Sequence, residues 1–249
     1  MVLGEISKFK NFFLDFFFPK FCLGCGKEKT FLCSCCFSKI KTFSAPFCPY
    51  CKARSVEGKI CNPCLFPKVL KKEKRKLLTG FIATASYKEN IIRELIDAFK
   101  YKFVKELALS LALLIFKFLK ENPEVEFFKN PLDFLILPIP LHWRRERWRG
   151  FNQAVEIGKF LSSLLKIPMR KDILFRKKST KPQVLLKEKE EKKENIREVF
   201  GAIKENEVKN KKIILLDDVA TSLATLEEAA KTLKEKEIKE IWGLVVAMG

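Results

Sequence analysis

The sequence has no apolar run long enough to cross a membrane. A spanning helix needs about 20 consecutive apolar residues, and the longest apolar stretch of these 249 residues, 107–119, is interrupted by Lys117. The N-terminal segment also lacks the uninterrupted apolar core of a signal peptide, because it carries four charged residues: Glu5, Lys8, Lys10 and Asp15. We therefore expect a cytoplasmic protein with no membrane span.

Histidine and acidic residues are both scarce. The single histidine, His142, lies in a predicted loop, and we expect no general-base role for it. Only 30 Asp and Glu residues oppose 49 Lys and Arg residues, which leaves a net charge of +19. Such an excess suits polyanions: nucleic acid, phosphorylated metabolites or an anionic membrane surface. The alternative, a surface adapted to high temperature, explains the charged fraction of 32% but not the excess of one sign.

The composition indicates a folded chain with two parts of unequal size. Hydrophobic residues make up 47% of the sequence, enough to bury a core, and the length indicates one large domain with a small module. We predict an amphipathic helix over residues 1–20, a cysteine module over 21–67, a basic linker over 68–80 and an α/β domain over 81–249. The helix has phenylalanines at helical spacing, which favours docking on its own protein over membrane binding: Phe9, Phe12, Phe13, Phe16 and Phe17.

Apolar strands alternate with helices throughout the predicted α/β domain. We predict strands over 81–87, 134–139, 212–216 and 241–247, and helices over 90–101, 104–120, 152–165 and 223–236. This alternation is typical of a parallel sheet that is covered on both faces. Residues 177–195 are too rich in Lys and Glu to be core, and we expect a flap or a lone surface helix there.

Eight of the nine cysteines form four C-x-x-C pairs: Cys22/Cys25, Cys33/Cys36, Cys48/Cys51 and Cys61/Cys64. Two such pairs complete a tetrahedral zinc site, so the sequence predicts two structural zinc ions. A disulfide framework is the alternative, but it requires an export signal that this sequence lacks. Pairing in sequence order gives two consecutive zinc ribbons, and a cross-braced pairing uses the same residues. Cys35 has no partner, and we expect it to be a spectator.

A second motif begins with the strand over 212–216. Asp217 and Asp218 stand at its predicted carboxyl end, and a turn rich in hydroxyl groups, 221–225, leads into the next helix. Open α/β sheets bind ligands at this position, and a helix start with free amides suits a phosphate. Adjacent carboxylates suit the vicinal hydroxyls of a ribose, so the segment indicates a ribose 5-phosphate ligand. The alternative is an ordinary helix that is capped by Thr221 or Ser222.

This segment resembles the phosphoribosyl pyrophosphate (PRPP) motif of type I phosphoribosyltransferases, D-D-x-x-T-T-G-x-T. Residues 137–153 contain a proline-flanked strand and the sequence R-G-F-N-Q, and they resemble the signature of the ComF family of competence proteins. The double zinc ribbon belongs to the same family. A further stretch is similar to the family pattern R-x-x-x-T-x-x-Q … N-x-x-x-x-F: Arg176, Thr180, Gln183, Asn195 and Phe200. On these motifs the chain is identified as a member of the ComF family.

The resemblance implies an α/β, type I phosphoribosyltransferase-like domain behind a zinc module. It implies a role in natural transformation, in the cytoplasm, on incoming single-stranded DNA and alongside a helicase-like partner. Asp217 and Asp218 would hold the ribose hydroxyls, and Mg²⁺ would accompany PRPP. The phosphate would lie on the loop of Thr221, Ser222, Leu223, Ala224 and Thr225. Pyrophosphate or DNA would contact Arg144, Arg145, Arg147, Arg149 and Asn152.

The basic cluster and the phosphate loop each leave an alternative open. Trp143 and Trp148 accompany the arginines and are available to stack bases. The alternative for the cluster is a solvated basic turn with no ligand. In the loop, Ser222-Leu223 replaces the Thr-Gly of the motif, and we expect leucine to reshape the loop or narrow the phosphate pocket. Three functions therefore compete: a DNA-binding competence protein, an active phosphoribosyltransferase on a base or amine, and a zinc-ribbon adaptor.

Overall fold

The computed structural model describes residues 19–65, 77–178, 198–203, 207–234 and 237–249. Three predicted segments therefore lie largely or wholly outside the described residues. They are the N-terminal helix up to residue 18, the linker up to residue 76, and the charged stretch from residue 179, which includes Thr180, Gln183 and Asn195.

Four parallel strands form the central sheet of the described residues. They are β1 (Gly80–Ser86), β2 (Phe134–Pro138), β5 (Lys212–Ala220) and β6 (Glu240–Met248), in the spatial order β1-β6-β5-β2. Their near-continuous apolar runs fit strands that are buried on both faces. Two short strands, β3 (Leu174–Arg176) and β4 (Phe200–Ala202), pair antiparallel beside this sheet.

Helices cover both faces of the sheet. On one face pack α3 (Asn90–Tyr101), α4 (Leu107–Glu121) and α7 (Gln153–Leu165), and on the other packs α8 (Ala224–Lys234). The shorter helices are α1 (Ser34–Ser38), α2 (Asn62–Leu65), α5 (Glu126–Lys129) and α6 (Trp143–Arg149), and a 3₁₀ turn spans Pro131–Asp133. The predicted fold class, a parallel α/β sheet with an N-terminal double zinc ribbon, is confirmed.

The cysteine module is packed around the edge of the sheet. Side chains of its first half, including the buried Ile40, join the core on the α3 side, and those of its second half, including Ile60, join the core on the α8 side. Its backbone also bonds to β1 and to the residue before it: the amide of Phe81 in β1 donates to Gly58, and the amide of Ile60 donates to Thr79. The module therefore covers the outer edge of β1, which would otherwise be open to pairing with another chain.

Two elements differ from the sequence prediction. The predicted strand over 212–216 extends to Ala220, because β5 continues to pair with β6 as far as Ala220 and Met248. The two acidic residues thus lie inside the strand rather than after it. The basic segment over 143–149 is a helix rather than a turn, since His142 caps its start and Gly150, with φ 77°, ends it.

None of the described helices is long and apolar enough to cross a membrane.

Candidate functional site

Two groups of four cysteines each bring their sulfur atoms to one point. The Sγ atoms of Cys22, Cys25, Cys33 and Cys36 lie within 4.8 Å of one another, and so do those of Cys48, Cys51, Cys61 and Cys64. Four thiolates at this separation suit a tetrahedral zinc ion. Of the two predicted pairings, the structure has the one in sequence order, with two consecutive ribbons. Cys35 is exposed and belongs to neither group.

Backbone amides favour the thiolate form at both sites. Burial raises the pKa of Cys22, but hydrogen bonds from backbone amides, with Cys33 the strongest donor, outweigh it and lower the pKa to about 6. At the second site burial again raises the pKa of Cys48, and amide donors led by Cys51 lower it to about 7. Zinc binds the deprotonated thiol, so the backbone hydrogen bonds to Cys22 and Cys48 favour the form of these thiols that binds the metal.

The second zinc site is tied directly to α8. Tyr50 lies between two ligands, Cys48 and Cys51, and its hydroxyl donates a hydrogen bond to Glu227 in the first turn of α8. The other carboxylate oxygen of Glu227 accepts from the backbone amide of Leu77, at 3.0 Å. Burial, and then the negative charge of Glu227, raise the pKa of Tyr50. The tyrosine therefore stays protonated and keeps donating.

The two aspartates lie on β5 near the carboxyl ends of the parallel strands. They are adjacent in the strand, and the Oδ1 of Asp217 accepts a hydrogen bond from the backbone amide of Asp218, at 2.8 Å. Asp218 is buried and forms an ion pair with Lys100 of α3, at 2.9 Å. Burial, and then the charge of Asp218, raise the pKa of the half-buried Asp217 to about 7, against the opposing charges of Lys100 and Arg176. Two cations, Lys100 and Arg176, therefore balance the charge of the two carboxylates.

The loop after β5 is short and partly buried. The hydroxyl of Ser222 is buried and finds no hydrogen-bond partner within the described ranges. Leu223, which stands where the family motif has glycine, is also buried and joins the core cluster of Leu226 and Ala229. Its φ is not among the positive values of the described residues. The leucine side chain therefore packs into the core, and the loop backbone does not require the torsions that favour glycine.

The arginine cluster lies on α6 and divides into two pairs. Arg144 and Arg147 are exposed, whereas Arg145 and Arg149 are half-buried. Burial, and then the nearby charge of Arg149, lower the pKa of Arg145. On β3, burial, and then the charge of Arg145, lower the pKa of Arg176 to about 10. The cationic groups thus crowd together beside Asp217, where an anion would relieve their repulsion.

His142 acts as the N-cap of α6 rather than as a base. Its Nδ1 accepts from the amide of Arg144 at 3.3 Å, so the ring has to be neutral. Burial, and then the charge of Arg144, lower its pKa and favour that neutral form.

The R-G-F-N-Q sequence builds the junction between α6 and α7. Phe151 packs against Phe99, with ring centroids 5.2 Å apart. Asn152 caps α7: its Oδ1 accepts from Val155, and its Nδ2 donates to the carbonyl of Ile139. Arg149 donates to Gln153 at 2.9 Å, while Arg149 Nε and the buried Gln153 Nε2 have no partner in the part of the chain that the structure describes. Both polar atoms of Asn152 are therefore engaged within the fold, and the predicted ligand contact of this residue stays a prediction.

Three residues of this site, which the sequence did not indicate, lie at the end of α3 and just after it. Lys100 reaches Asp218, Tyr101 lies under the guanidinium of Arg149 at 5.5 Å, and Phe103 meets the edge of Trp148 at 5.2 Å. Phe103 has a φ of 58°, unusual for a residue with a side chain, and the residue remains 42% exposed. Nothing in their sequence spacing links these residues to α6, because the contact depends on Phe99 of α3 packing against Phe151, which follows α6.

Comparisons with known proteins match both parts of the chain. The double zinc ribbon domain family matches residues 13–65. The chain is 30% identical to Competence protein F of Haemophilus influenzae over 239 residues, and the matched region covers 93% of this chain and 99% of that protein. It is 28% identical to Competence protein ComFC of Bacillus subtilis over 217 residues, and the matched region covers 82% of this chain and 78% of that protein. A solved purine phosphoribosyltransferase of Pyrococcus horikoshii is similar over 57% of this chain and 73% of its own, at 20% identity and a TM-score of 0.34.

We predict two zinc ions per chain, because the two cysteine clusters each offer four thiolates. Metal analysis should return two zinc ions for the native protein and for Cys35→Ser, and one for Cys48→Ser, which breaks the second site. A value below about one zinc ion per native chain would contradict two structural sites.

The raised pKa of Asp217 predicts how stability depends on pH. The pKa of Asp217 in the folded protein, about 7, exceeds the ordinary value of 3.8. The contribution of this group to the free energy of unfolding is therefore fully present below pH 4 and is lost as pH rises through 7. Asp217→Asn removes that loss, so the variant should be more stable than the native protein at pH 8, and by less at pH 6. Urea unfolding at both pH values measures the difference. The exposed Asp133→Asn is the control, and an equal gain there would contradict the assignment.

Proposed function

The chain belongs to the ComF family of competence proteins, and from that premise we propose that it binds single-stranded DNA in the cytoplasm during DNA uptake. The binding surface is α6 with the residues that flank it. The observation that carries the proposal is the interleaving of exposed arginines and aromatic rings on this one helix and its neighbours. A helicase-like protein of the uptake machinery is the proposed partner.

Four aromatic side chains stay exposed on this surface. Trp143 is 59% exposed and Trp148 is 61% exposed, although large aromatic residues are normally buried. Phe103 and Tyr101 extend the aromatic surface from α3. Exposed rings beside a cationic groove are typical of proteins that hold unpaired bases by stacking, with little dependence on sequence.

The arginines supply the matching contacts to phosphate. Arg144 lies over the ring of Trp143 at 5.3 Å, so one residue pair presents both a stacking face and a phosphate donor. Arg147 on the same helix is exposed. Guanidinium groups beside aromatic rings bind the phosphates of a DNA strand, while its bases stack on the rings.

We propose PRPP as a second ligand, at the loop after β5. Three observations favour it: the buried, unpartnered hydroxyl of Ser222, the two carboxylates of β5, and the cations Lys100 and Arg176 beside them. The hydroxyl would donate to the 5-phosphate, and Asp217 and Asp218 would accept from the ribose hydroxyls. Mg²⁺ would accompany PRPP beside these carboxylates and would neutralise part of the charge of its diphosphate.

Turnover is a separate question from binding. Calorimetry with PRPP and Mg²⁺ distinguishes a ligand-binding domain from a zinc-ribbon adaptor, because the adaptor should give no binding heat. Product formation with candidate bases and amines then distinguishes an active phosphoribosyltransferase from a protein that only binds.

We predict that loss of the exposed arginines makes DNA binding less dependent on salt. Arg144→Gln with Arg147→Gln should reduce the slope of log affinity against log salt by about 1.4, at about 0.7 per phosphate contact on a single strand. Adding Arg145→Gln should bring the reduction to about 2. Titrating labelled oligonucleotide at several salt concentrations measures the slope.

The matched control is Lys211→Gln with Lys239→Gln, two exposed lysines at the opposite end of the sheet. This pair removes the same charge and should change the slope much less. Equal slopes for the native protein and the arginine variants would place the DNA site elsewhere on the chain.

We also predict that Leu223→Gly strengthens PRPP binding, because glycine lets backbone amides approach the phosphate more closely. The buried position of Leu223 adds a cost of about 2–5 kcal/mol in the free energy of unfolding, as for a large-to-small change in a core. Leu223→Ala is the matched control: it has a similar cost in stability but lacks the freedom of glycine. Equal affinities of the two variants in calorimetry would contradict the prediction, and Asp217→Asn with Asp218→Asn should abolish any gain.

A further inference from the structure

A cleft of about 670 Å³ lies between the second zinc ribbon and the carboxyl ends of β1 and β6. We call it the ribbon cleft, and its lining includes Phe47, Lys52, Arg54, Lys88, Met248 and Gly249. Pockets for small ligands typically measure about 300–1,000 Å³, so a single nucleotide fits this size. The ribbon cleft is distinct from the α6 surface, since no residue of α6 lines it.

The charged side chains that line the ribbon cleft are all positive. Lys52 and Arg54 enter from the ribbon and Lys88 from the segment after β1, and none of the lining residues is acidic. Among the described residues, no carboxylate forms an ion pair with any of these three side chains. Lys59 of the same ribbon differs, because it pairs with Glu57 and Glu126. Three cations that have no ion-pair partner among the described residues, placed around one cleft, attract an anion.

One wall of the ribbon cleft is aromatic and apolar. The rings of Phe43 and Phe47 meet edge to face, with centroids 5.0 Å apart. The ammonium of Lys52 lies 5.1 Å from the centroid of Phe47 and 3.7 Å from the sulfur of Met248. An anionic group that carries a flat ring can therefore contact cation and apolar wall together. A nucleotide has this combination of phosphate and base.

The zinc knuckle holds the backbone of Lys52, the residue at the centre of this arrangement. The backbone amide of Lys52 donates to the carbonyl of Cys48, a zinc ligand, at 2.8 Å, and Lys52 has a φ of 64°. The other side of the ribbon cleft adjoins the phosphate loop, since the amide of Gly249 donates to Ala220 at 3.0 Å. The ribbon cleft is thus a built feature of both domains.

We propose that the ribbon cleft binds one nucleotide unit, with its phosphate on Lys52, Arg54 and Lys88 and its base against Phe47 and Met248. The proposal rests on the proposed function only in taking a nucleotide as the ligand. The nucleotide is either free or part of a single strand, and both sources present the same phosphate and base.

The test uses Lys52→Gln with Lys88→Gln in the full-length protein. The control pair is Lys39→Gln with Lys41→Gln, two exposed lysines of the module outside the ribbon cleft. The probes are thymidine 5′-monophosphate and an oligothymidylate of about ten nucleotides, and zinc content verifies that each variant is folded. Loss of the two charges should raise the dissociation constant about five- to tenfold, and the control should leave it nearly unchanged.

The two probes separate the sources of the nucleotide. Weaker binding of both probes by the cleft variant supports a site for free nucleotides, and weaker binding of the oligonucleotide alone supports a site for a strand. Equal binding by the cleft variant and the control pair, with both probes, overturns the proposal. The α6 variant Arg144→Gln with Arg147→Gln is measured alongside, so that failure of the α6 surface and failure of the ribbon cleft give different results.

Discussion

The outer edge of β1 needs hydrogen-bond partners, and the cysteine module supplies them. An uncovered edge strand is a template for aggregation, and here the module bonds to β1 through Gly58 and Phe43 and to the residue before β1 through Ile60. A segment this short cannot hold a core of its own, so it depends on metal to keep its shape. The sheet, the two zinc sites and the ribbon cleft therefore depend on one another. Each loses its support if the module detaches from the edge.

Much of this architecture could be predicted from the sequence because its signals are local. Four C-x-x-C pairs specify two tetrahedral sites, and sequence order gave the correct pairing among the two that were open. The apolar runs placed all four parallel strands, and the helix over 90–101 has the same ends in the structure. In each case the determining pattern lies within a few neighbouring residues.

The parts that the sequence did not predict depend on contacts between distant residues. The length of β5 is set by its pairing with β6, so its extension past Asp217 is not visible in its own residues. The same is true of the ion pair between Lys100 and Asp218 and of the aromatic residues that α3 adds to the α6 surface. The burial of Leu223 likewise depends on α8, which packs the side chain inward.

Glu227 connects the second metal site to the helix that follows the phosphate loop. Its carboxylate is held by Tyr50, inside a zinc knuckle, and by the backbone at Leu77. Binding free energies between coupled sites are reciprocal. If zinc in the second ribbon strengthens ligand binding at the loop by some factor, then a bound ligand strengthens retention of that zinc by the same factor. Competition for zinc with a chelator would therefore report on occupancy of the loop, and the metal itself would become an indicator of the ligand.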